Sequence, residues 1–124
     1  MRHTGTVLVV EDDELLSELL HAGLRSAGYT VLDAADRDTA AELLAARPEI
    51  QVMVCDITMP GECSGAELMQ RAKSREPAVR VVGISGYPAD RVPDNQANSA
   101  DEFLGKPFAL SMLADCVCRQ LKKR

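Results

Sequence analysis

The stretch VLVVEDD at residues 7–13 decides the fold of this chain, because four aliphatic residues run without interruption into three acids. A run of this kind is typical of a strand that is buried on both faces, as in a parallel sheet covered by helices. The stretch VMVCD at residues 52–56 repeats the pattern and ends at Asp56. Since the carboxyl ends of parallel strands meet at one edge of a sheet, we expect these acids to lie close together.

Three more strands and five helices are predicted along the rest of the chain. The strands are predicted at residues 30–34, 79–84 and 102–104, and helical spacing of apolar residues predicts helices at 16–27, 39–46, 66–72 and 110–121. The first helix is predicted to bury Leu19 together with its other leucines. The segment 88–100 should hold one further helix, which Pro93 keeps short or irregular. This alternation predicts a doubly wound, five-stranded α/β sheet.

Composition and charge limit the class of protein. The 124 residues are 46% hydrophobic and only 3% aromatic, so we expect one domain spanning 1–124, with no effector domain and with Met53 and Met112 in an aliphatic core. Nineteen acids against 14 bases give a net charge of -5, which disfavours nucleic acid and anionic membranes as direct partners. The four cysteines lack zinc or disulfide spacing, which favours a cytoplasmic protein.

Polar residues are predicted at the carboxyl ends of four strands. They are Glu11, Asp12, Asp56, Ser85 and Lys106. Converging carboxylates repel one another unless a cation lies between them, and oxygen ligands without His or thiolate favour Mg²⁺ over zinc. A lysine and a hydroxyl group beside such a metal suit the binding of a phosphoryl group. Asp56 is then placed to accept that group as an aspartyl phosphate.

Four motifs together resemble the receiver domain of two-component response regulators. They are VVEDD at residues 9–13, VCDITMP at 54–60, GISGY at 83–87 and DEFLGKPF at 101–108. The resemblance covers essentially the whole chain and implies a flavodoxin-like (βα)5 sheet with strand order 2-1-3-4-5. The segment between Pro60 and Gly65 is one residue longer than the commonest spacing in this family. Its length resembles that of receivers associated with hybrid sensor kinases.

The resemblance implies a role for each residue that matches the family's motifs. Asp56 would be the phosphoacceptor and Lys106 its partner, with a cis peptide bond to the proline that follows the lysine. Asp12 would bind Mg²⁺ or Mn²⁺ directly, and Glu11 would hold the ion through a water molecule. The backbone carbonyl of Thr58 and the Asp56 carboxylate would complete the protein ligands.

The resemblance also implies a switch and a set of partners. Ser85 would move to hydrogen-bond the phosphoryl group, and Phe103 would turn inward into the space vacated. This would remodel the surface formed by the helix at 88–100, the fifth strand and the last helix, through which a downstream protein is controlled. Thr58 and Tyr87 would tune dephosphorylation, which we expect to be slow. The phosphate donor would be a histidine kinase or a histidine phosphotransfer protein, and a phosphorylation-dependent homodimer is compatible with the family.

Two other functions were open to the same residues. A receiver-fold interaction module that is not phosphorylated would be expected to lack an acid or the lysine, and this chain lacks neither. An aspartyl-phosphate hydrolase would need a second Asp two residues after Asp56, where Thr58 stands. We therefore expect no enzyme activity beyond the chain's own phosphorylation and dephosphorylation.

Overall fold

A computed structural model describes residues 5–57, 65–85 and 100–122. Each predicted strand is present, as β1 (Thr6–Val10), β2 (Thr30–Ala34), β3 (Ile50–Asp56), β4 (Arg80–Ser85) and β5 (Glu102–Gly105). The strands are parallel and form one sheet in the order β2-β1-β3-β4-β5. The predicted flavodoxin-like topology is confirmed, and it places the carboxyl ends of the strands along one edge.

Four helices accompany the sheet in the described part of the chain. They are α1 (Glu14–Ser26), α2 (Arg37–Ala46), α3 (Gly65–Ser74) and α4 (Leu110–Lys122). The carboxylate of Asp13 caps α1 by accepting a hydrogen bond from the Leu16 amide at 3.1 Å, and Asp36 caps α2 through the Thr39 amide at 2.7 Å. The helix predicted within 88–100 lies outside the described residues, apart from its last position.

Alternate side chains of the strands enter two hydrophobic clusters, one on each face of the sheet. Leu8 and Met53 belong to one cluster, which includes Met69 of α3. Val9 belongs to the other, which includes Leu113 of α4. The central strands are therefore buried on both faces, and this is why they were recognisable as uninterrupted aliphatic runs.

Two residues that were predicted to lie in the core are exposed, so that part of the prediction was wrong. Leu19 on α1 is 49% exposed and Met112 on α4 is 50% exposed, whereas Met53 is fully buried as predicted. Successive residues of a helix point about 100° apart, so the burial of Leu20 turns its neighbour Leu19 towards solvent. Met112 lies in the first turn of α4, before the buried stripe of that helix begins at Leu113.

Arg75 follows α3 and ties the end of α2 to the start of β3. Its guanidinium donates hydrogen bonds to the backbone carbonyls of Leu44 (3.4 Å), Arg47 (3.0 Å) and Pro48 (3.1 Å), and also to that of Ile50. The last carbonyls of a helix have no partner within the helix, so Arg75 satisfies groups that would otherwise need water. β3 is anchored in this way at its first residue.

Candidate functional site

The edge formed by the carboxyl ends of the strands carries the polar residues that the sequence singled out. Glu11 follows β1, Asp56 and Ser85 end β3 and β4, and Lys106 follows β5. Backbone hydrogen bonds continue past the strand ends, since the Glu11 amide donates to the Ala34 carbonyl at 3.0 Å and the Lys106 amide donates to the Ser85 carbonyl at 2.7 Å. The hydrogen bonds of the sheet therefore fix the backbone positions of Glu11 and Lys106.

Three carboxylates converge at this edge. Each of Glu11, Asp12 and Asp56 has an oxygen atom within 4.8 Å of an oxygen of the other two. Glu11 and Asp56 are buried, with 2% and 3% of their surface exposed, while Asp12 is exposed. A cluster of carboxylate oxygens that is open on one side fits a hard divalent cation such as Mg²⁺, which keeps part of its water shell.

Lys106 supplies a positively charged side chain to the site. Its Nζ lies 2.9 Å from Oδ2 of Asp56 and 3.4 Å from Oε1 of Glu11. Desolvation opposes the charged form, but the hydrogen bond and the charge of Asp56, together with those of Glu11, raise the pKa of Lys106 above its ordinary value. The peptide bond between Lys106 and Pro107 is cis, as the resemblance implied. The lysine is therefore a permanently charged partner of the buried carboxylate.

The charge of the buried Glu11 carboxylate is only partly neutralised by Lys106, which lies 3.4 Å from one of its two oxygen atoms. Its Oε2 atom is buried and has no hydrogen-bond partner among the described residues. Burial, reinforced by the neighbouring Asp56, raises the pKa of Glu11 to about 8 in spite of the opposing effect of Lys106. One lysine does not neutralise the charges of both Glu11 and Asp56, whereas a divalent cation bound at the cluster would neutralise the remaining charge. The donor set and the uncompensated oxygen both fit such an ion.

Ser85 and Phe103, the two residues of the implied switch, lie on the neighbouring strands β4 and β5. Ser85 is buried and pairs in register with Gly105, and Phe103 pairs with Gly83. Phe103 is partly buried and packs against the hydrophobic cluster that contains Leu8 and Met53. Phe103 therefore lies on the same face of the sheet as Gly83 and Ser85 of β4.

Two predicted residues of the site, Thr58 and Tyr87, lie outside the described residues. The loop pattern between Pro60 and Gly65 falls largely on the same undescribed segment. The proposed backbone ligand and the two tuning positions therefore stay predictions.

A groove beside Lys106 was not anticipated from the sequence. It has a volume of about 320 Å³ and is lined by Leu16, Leu19, Lys106, Pro107, Phe108 and Leu110. Leu15 lies on the same helix as Leu19 and is 67% exposed. The signal was present in the two Leu-Leu pairs of α1, because a single stripe on a helix cannot bury both members of each pair. We call the six lining residues the α1 groove, and Leu15 lies one helical turn before Leu19 on the same helix.

Comparison with known proteins identifies relatives along nearly the whole chain. Residues 7–117 match the family model described as the response regulator receiver domain. The response regulator receiver protein CpdR of Brucella abortus is 33% identical over 116 residues, which cover 93% of this chain and 95% of CpdR. The sensor kinase CckA of the same organism is 34% identical over 123 residues, but the match spans only 13% of that longer protein.

Solved structures show the same architecture. A response regulator from Thermotoga maritima superimposes with a TM-score of 0.81 at 26% identity, over 97% of this chain and 99% of the other. A receiver domain protein from Clostridium thermocellum gives a TM-score of 0.85 at 21% identity, over 96% and 95% of the two chains. Within the described ranges, no helix has the length and apolar character needed to cross a membrane.

Proposed function

The chain belongs to the response regulator receiver domain family, and we propose that it accepts a phosphoryl group on Asp56 from a histidine kinase or a histidine phosphotransfer protein. One observation carries this proposal: the buried carboxylate of Asp56 lies 2.9 Å from Nζ of Lys106 and beside two further acids. This combination supplies a nucleophile, a fixed positive charge and oxygen ligands at one place.

The proposed reaction is a phosphoryl transfer between two side chains. A carboxylate oxygen of Asp56 forms a bond to phosphorus while the P–N bond of the donor phosphohistidine breaks. The electron pair of that bond leaves with the imidazole of the donor, which takes up a proton from water. Because the transferred group carries spread negative charge, positioning and electrostatic stabilisation supply most of the catalysis.

Asp12 and Asp56 would hold Mg²⁺ directly, with Glu11 acting through a water molecule and the Thr58 carbonyl as the remaining protein ligand. The ion, when bound, supplies charge that offsets the carboxylates and the incoming phosphoryl oxygens. Lys106 contributes a second positive charge, which its contact with Asp56 already holds within reach of any group attached there. Ser85 would donate its hydroxyl hydrogen to a phosphoryl oxygen.

We propose that the phosphate donor covers the α1 groove. Any protein that delivers a phosphoryl group to Asp56 must approach this edge of the sheet, and the groove includes Lys106, which contacts the nucleophile. Leu15 and Leu19 expose apolar surface of the kind that marks contact sites for a partner. The groove is therefore a surface beside the proposed phosphoacceptor that a donor protein can bind.

The output is proposed to be a change of protein surface in the cytoplasm. The switch residues Ser85 and Phe103 would alter the face that includes β5 and α4, and a downstream protein or a second copy of the chain would bind there. With a net charge of -5, direct contact with nucleic acid is not proposed. Thr58 and Tyr87 would set the rate at which water removes the phosphoryl group, which is proposed to be slow.

The test is phosphotransfer from a panel of autophosphorylated, radiolabelled histidine kinases. The chain should gain label from at least one kinase within seconds to minutes, and hydroxylamine should release that label because an acyl phosphate is cleaved by this nucleophile. Failure of every kinase and of acetyl phosphate to label the chain would favour the alternative, a receiver-fold interaction module that works without phosphorylation.

A further inference from the structure

β5 lies at the edge of the sheet next to β4, and apolar burial specifies its register weakly. Of its four residues, all of them described, Leu104 alone is buried. The register of a strand is strongly specified where one face is buried and weakly specified where few side chains are. A shift by one residue would move the strand by about 3.3 Å and turn each side chain to the other face.

The register of β5 decides whether Lys106 reaches Asp56, because the lysine directly follows this strand. Its Nζ lies 2.9 Å from Oδ2 of Asp56, and a hydrogen bond of this kind extends to only about 3.2 Å. At this end of β5, the Lys106 amide donates to the Ser85 carbonyl at 2.7 Å. The contacts at the other end of β5 therefore bear on the site as well.

Asp101, which directly precedes β5, bonds to both backbone groups of Val81 on β4. The Asp101 amide donates to the Val81 carbonyl at 2.8 Å. The Val81 amide donates to Oδ2 of Asp101, also at 2.8 Å, where a parallel sheet normally supplies a backbone carbonyl. A carboxylate oxygen thus replaces a backbone acceptor of the ladder. A shift of β5 by one residue would break both bonds.

The charge of Asp101 is separate from this geometry. Its Oδ1 atom lies 3.5 Å from Nη2 of Arg80 and 3.7 Å from Nζ of Lys73, and the side chain is 13% exposed. These two distances are too long for hydrogen bonds, so the cations attract the carboxylate without fixing its orientation. The orientation is fixed by the Val81 amide. Charge and geometry can therefore be varied independently by substitution.

The first residue of β5 is held by the last helix. Nε2 of Gln120 donates to Oε2 of Glu102 at 2.7 Å, and Oε1 of Gln120 accepts from Nε of Arg80 at 3.0 Å. Gln120 is fully buried. A buried amide that is bonded at both ends favours one arrangement of its partners. Polar contacts at the start of β5 thus supply the register that apolar burial specifies weakly.

We propose that Asp101 is a positioning residue for Lys106, which it brings to Asp56 by holding β5 in register against β4. Asp101 stands five residues before the lysine and acts through the strand. The inference rests on the proposed function, in which Lys106 supplies positive charge to the phosphoryl group. The register itself is a property of the ligand-free chain, so it can be measured without phosphorylation.

Two variants separate the geometry of Asp101 from its charge. Asp101→Asn keeps an oxygen atom opposite the Val81 amide and loses the charge. Asp101→Glu keeps the charge, but its extra methylene group displaces the oxygens from that amide. Hydrogen exchange of the full chain, followed by NMR, gives the ratio of the exchange rates of the Lys106 amide and the amide of Val54 on β3. This ratio should rise several-fold in Asp101→Glu and stay closer to the wild type in Asp101→Asn.

Arg75→Met is the control for a general loss of stability. Arg75 bonds to backbone carbonyls between α2 and β3, so this variant should leave the ratio of the two rates as in the wild type. The proposal is overturned by a ratio that does not rise in Asp101→Glu. It is also overturned by a ratio that rises as much or more in Asp101→Asn, because the charge of Asp101 would then be the cause.

The contact between Lys106 and Asp56 is measured by a double-mutant cycle. The coupling of Lys106→Met with Asp56→Asn in unfolding free energy should be several-fold smaller in the Asp101→Glu chain than in the wild type. Equal coupling in both chains would overturn the proposal. Labelling by acetyl phosphate should also be several-fold slower in Asp101→Glu than in Asp101→Asn, and equal rates would again contradict it.

The failure of the proposed function and the failure of this inference give different results. A chain that gains no label from any donor would contradict the proposed function. The exchange ratio and the double-mutant cycle need no phosphoryl group, so these two measurements would still decide whether Asp101 positions Lys106.

Discussion

Lys106 and Asp56 form an ion pair at 2.9 Å between residues 50 positions apart in the sequence. The parallel order of β3, β4 and β5 makes this contact possible, since all three strands end at the same edge. The lysine also reaches Glu11, so one cation serves two buried carboxylates. With both carboxylates ionised the site would carry a surplus of negative charge, which either a divalent cation or a proton on Glu11 relieves, and these two ways of relieving it are the basis of the first two predictions.

We predict that Asp12→Ala weakens Mg²⁺ binding at least tenfold. Asp12 is the exposed member of the carboxylate cluster, and its removal takes away a proposed ligand and one negative charge while leaving the buried pair in place. Isothermal titration calorimetry measures the affinity. Asp115→Ala, which removes an exposed acid on α4, is the matched control and should bind Mg²⁺ as the wild type does. Unchanged affinity in Asp12→Ala would place the metal elsewhere.

We predict that the metal-free protein loses stability as the pH rises from about 5 to about 8. Burial beside Asp56 raises the pKa of Glu11 from 4.5 to about 8 in the folded chain, so the folded state holds a proton that the unfolded state releases. The contribution of Glu11 is therefore fully present below its unfolded pKa and is lost as the pH approaches its folded pKa. Urea unfolding in EDTA at several pH values measures this slope.

Glu11→Gln is the control for that slope, because the amide cannot titrate. Its unfolding free energy should change less with pH over the same range, and saturating Mg²⁺ should reduce the slope of the wild type by favouring the ionised carboxylate. A wild type and a Glu11→Gln variant with the same pH dependence would show that Glu11 does not hold a proton in the folded chain.

We predict that Leu15→Gln combined with Leu19→Gln slows phosphotransfer from a histidine kinase at least tenfold. Both side chains are largely exposed, so the substitution removes apolar contact surface and should change stability little. The rate with acetyl phosphate, which needs no docking surface, serves as the internal control and should stay unchanged. Equal losses with both donors would indicate damage to the site, and no loss with either would place the donor on another surface.

Most of the fold and most of the site could be predicted from the sequence. β1 and β3 carry aliphatic runs because both of their faces are covered, and Glu11 and Asp56 stand directly after or at the ends of those runs. The exposure of Leu19 was missed, although a single helical stripe can bury only one member of each Leu-Leu pair, because periodicity alone does not decide which member is buried. The Phe103 ring lies so close to Gly83 that a Cβ atom there would be 2.5 Å from Cε1 of the ring. This packing could not be predicted, because a glycine in a strand does not reveal which side chain fills its space.

We predict that Arg75→Met destabilises the protein by about 1–3 kcal/mol, because the backbone carbonyls at the end of α2 lose charged hydrogen-bond donors. Arg75→Lys should recover only part of this loss, since an ammonium group cannot bond several carbonyls with the geometry of a guanidinium. Urea unfolding measures both variants, with Arg71→Met on the exposed face of α3 as the control. A loss below about 0.5 kcal/mol, the range of ordinary surface changes, would show that the hydrogen bonds of Arg75 do not stabilise the fold.

The central claim is that Asp56 is the phosphoacceptor, and intact-mass spectrometry after incubation with acetyl phosphate and Mg²⁺ tests it most directly. The wild type and the control Asp115→Asn should each gain one phosphoryl group, and Asp56→Asn should gain none, because an amide is not a nucleophile towards phosphorus. Phosphorylation of Asp56→Asn to the same extent as the wild type would contradict the account.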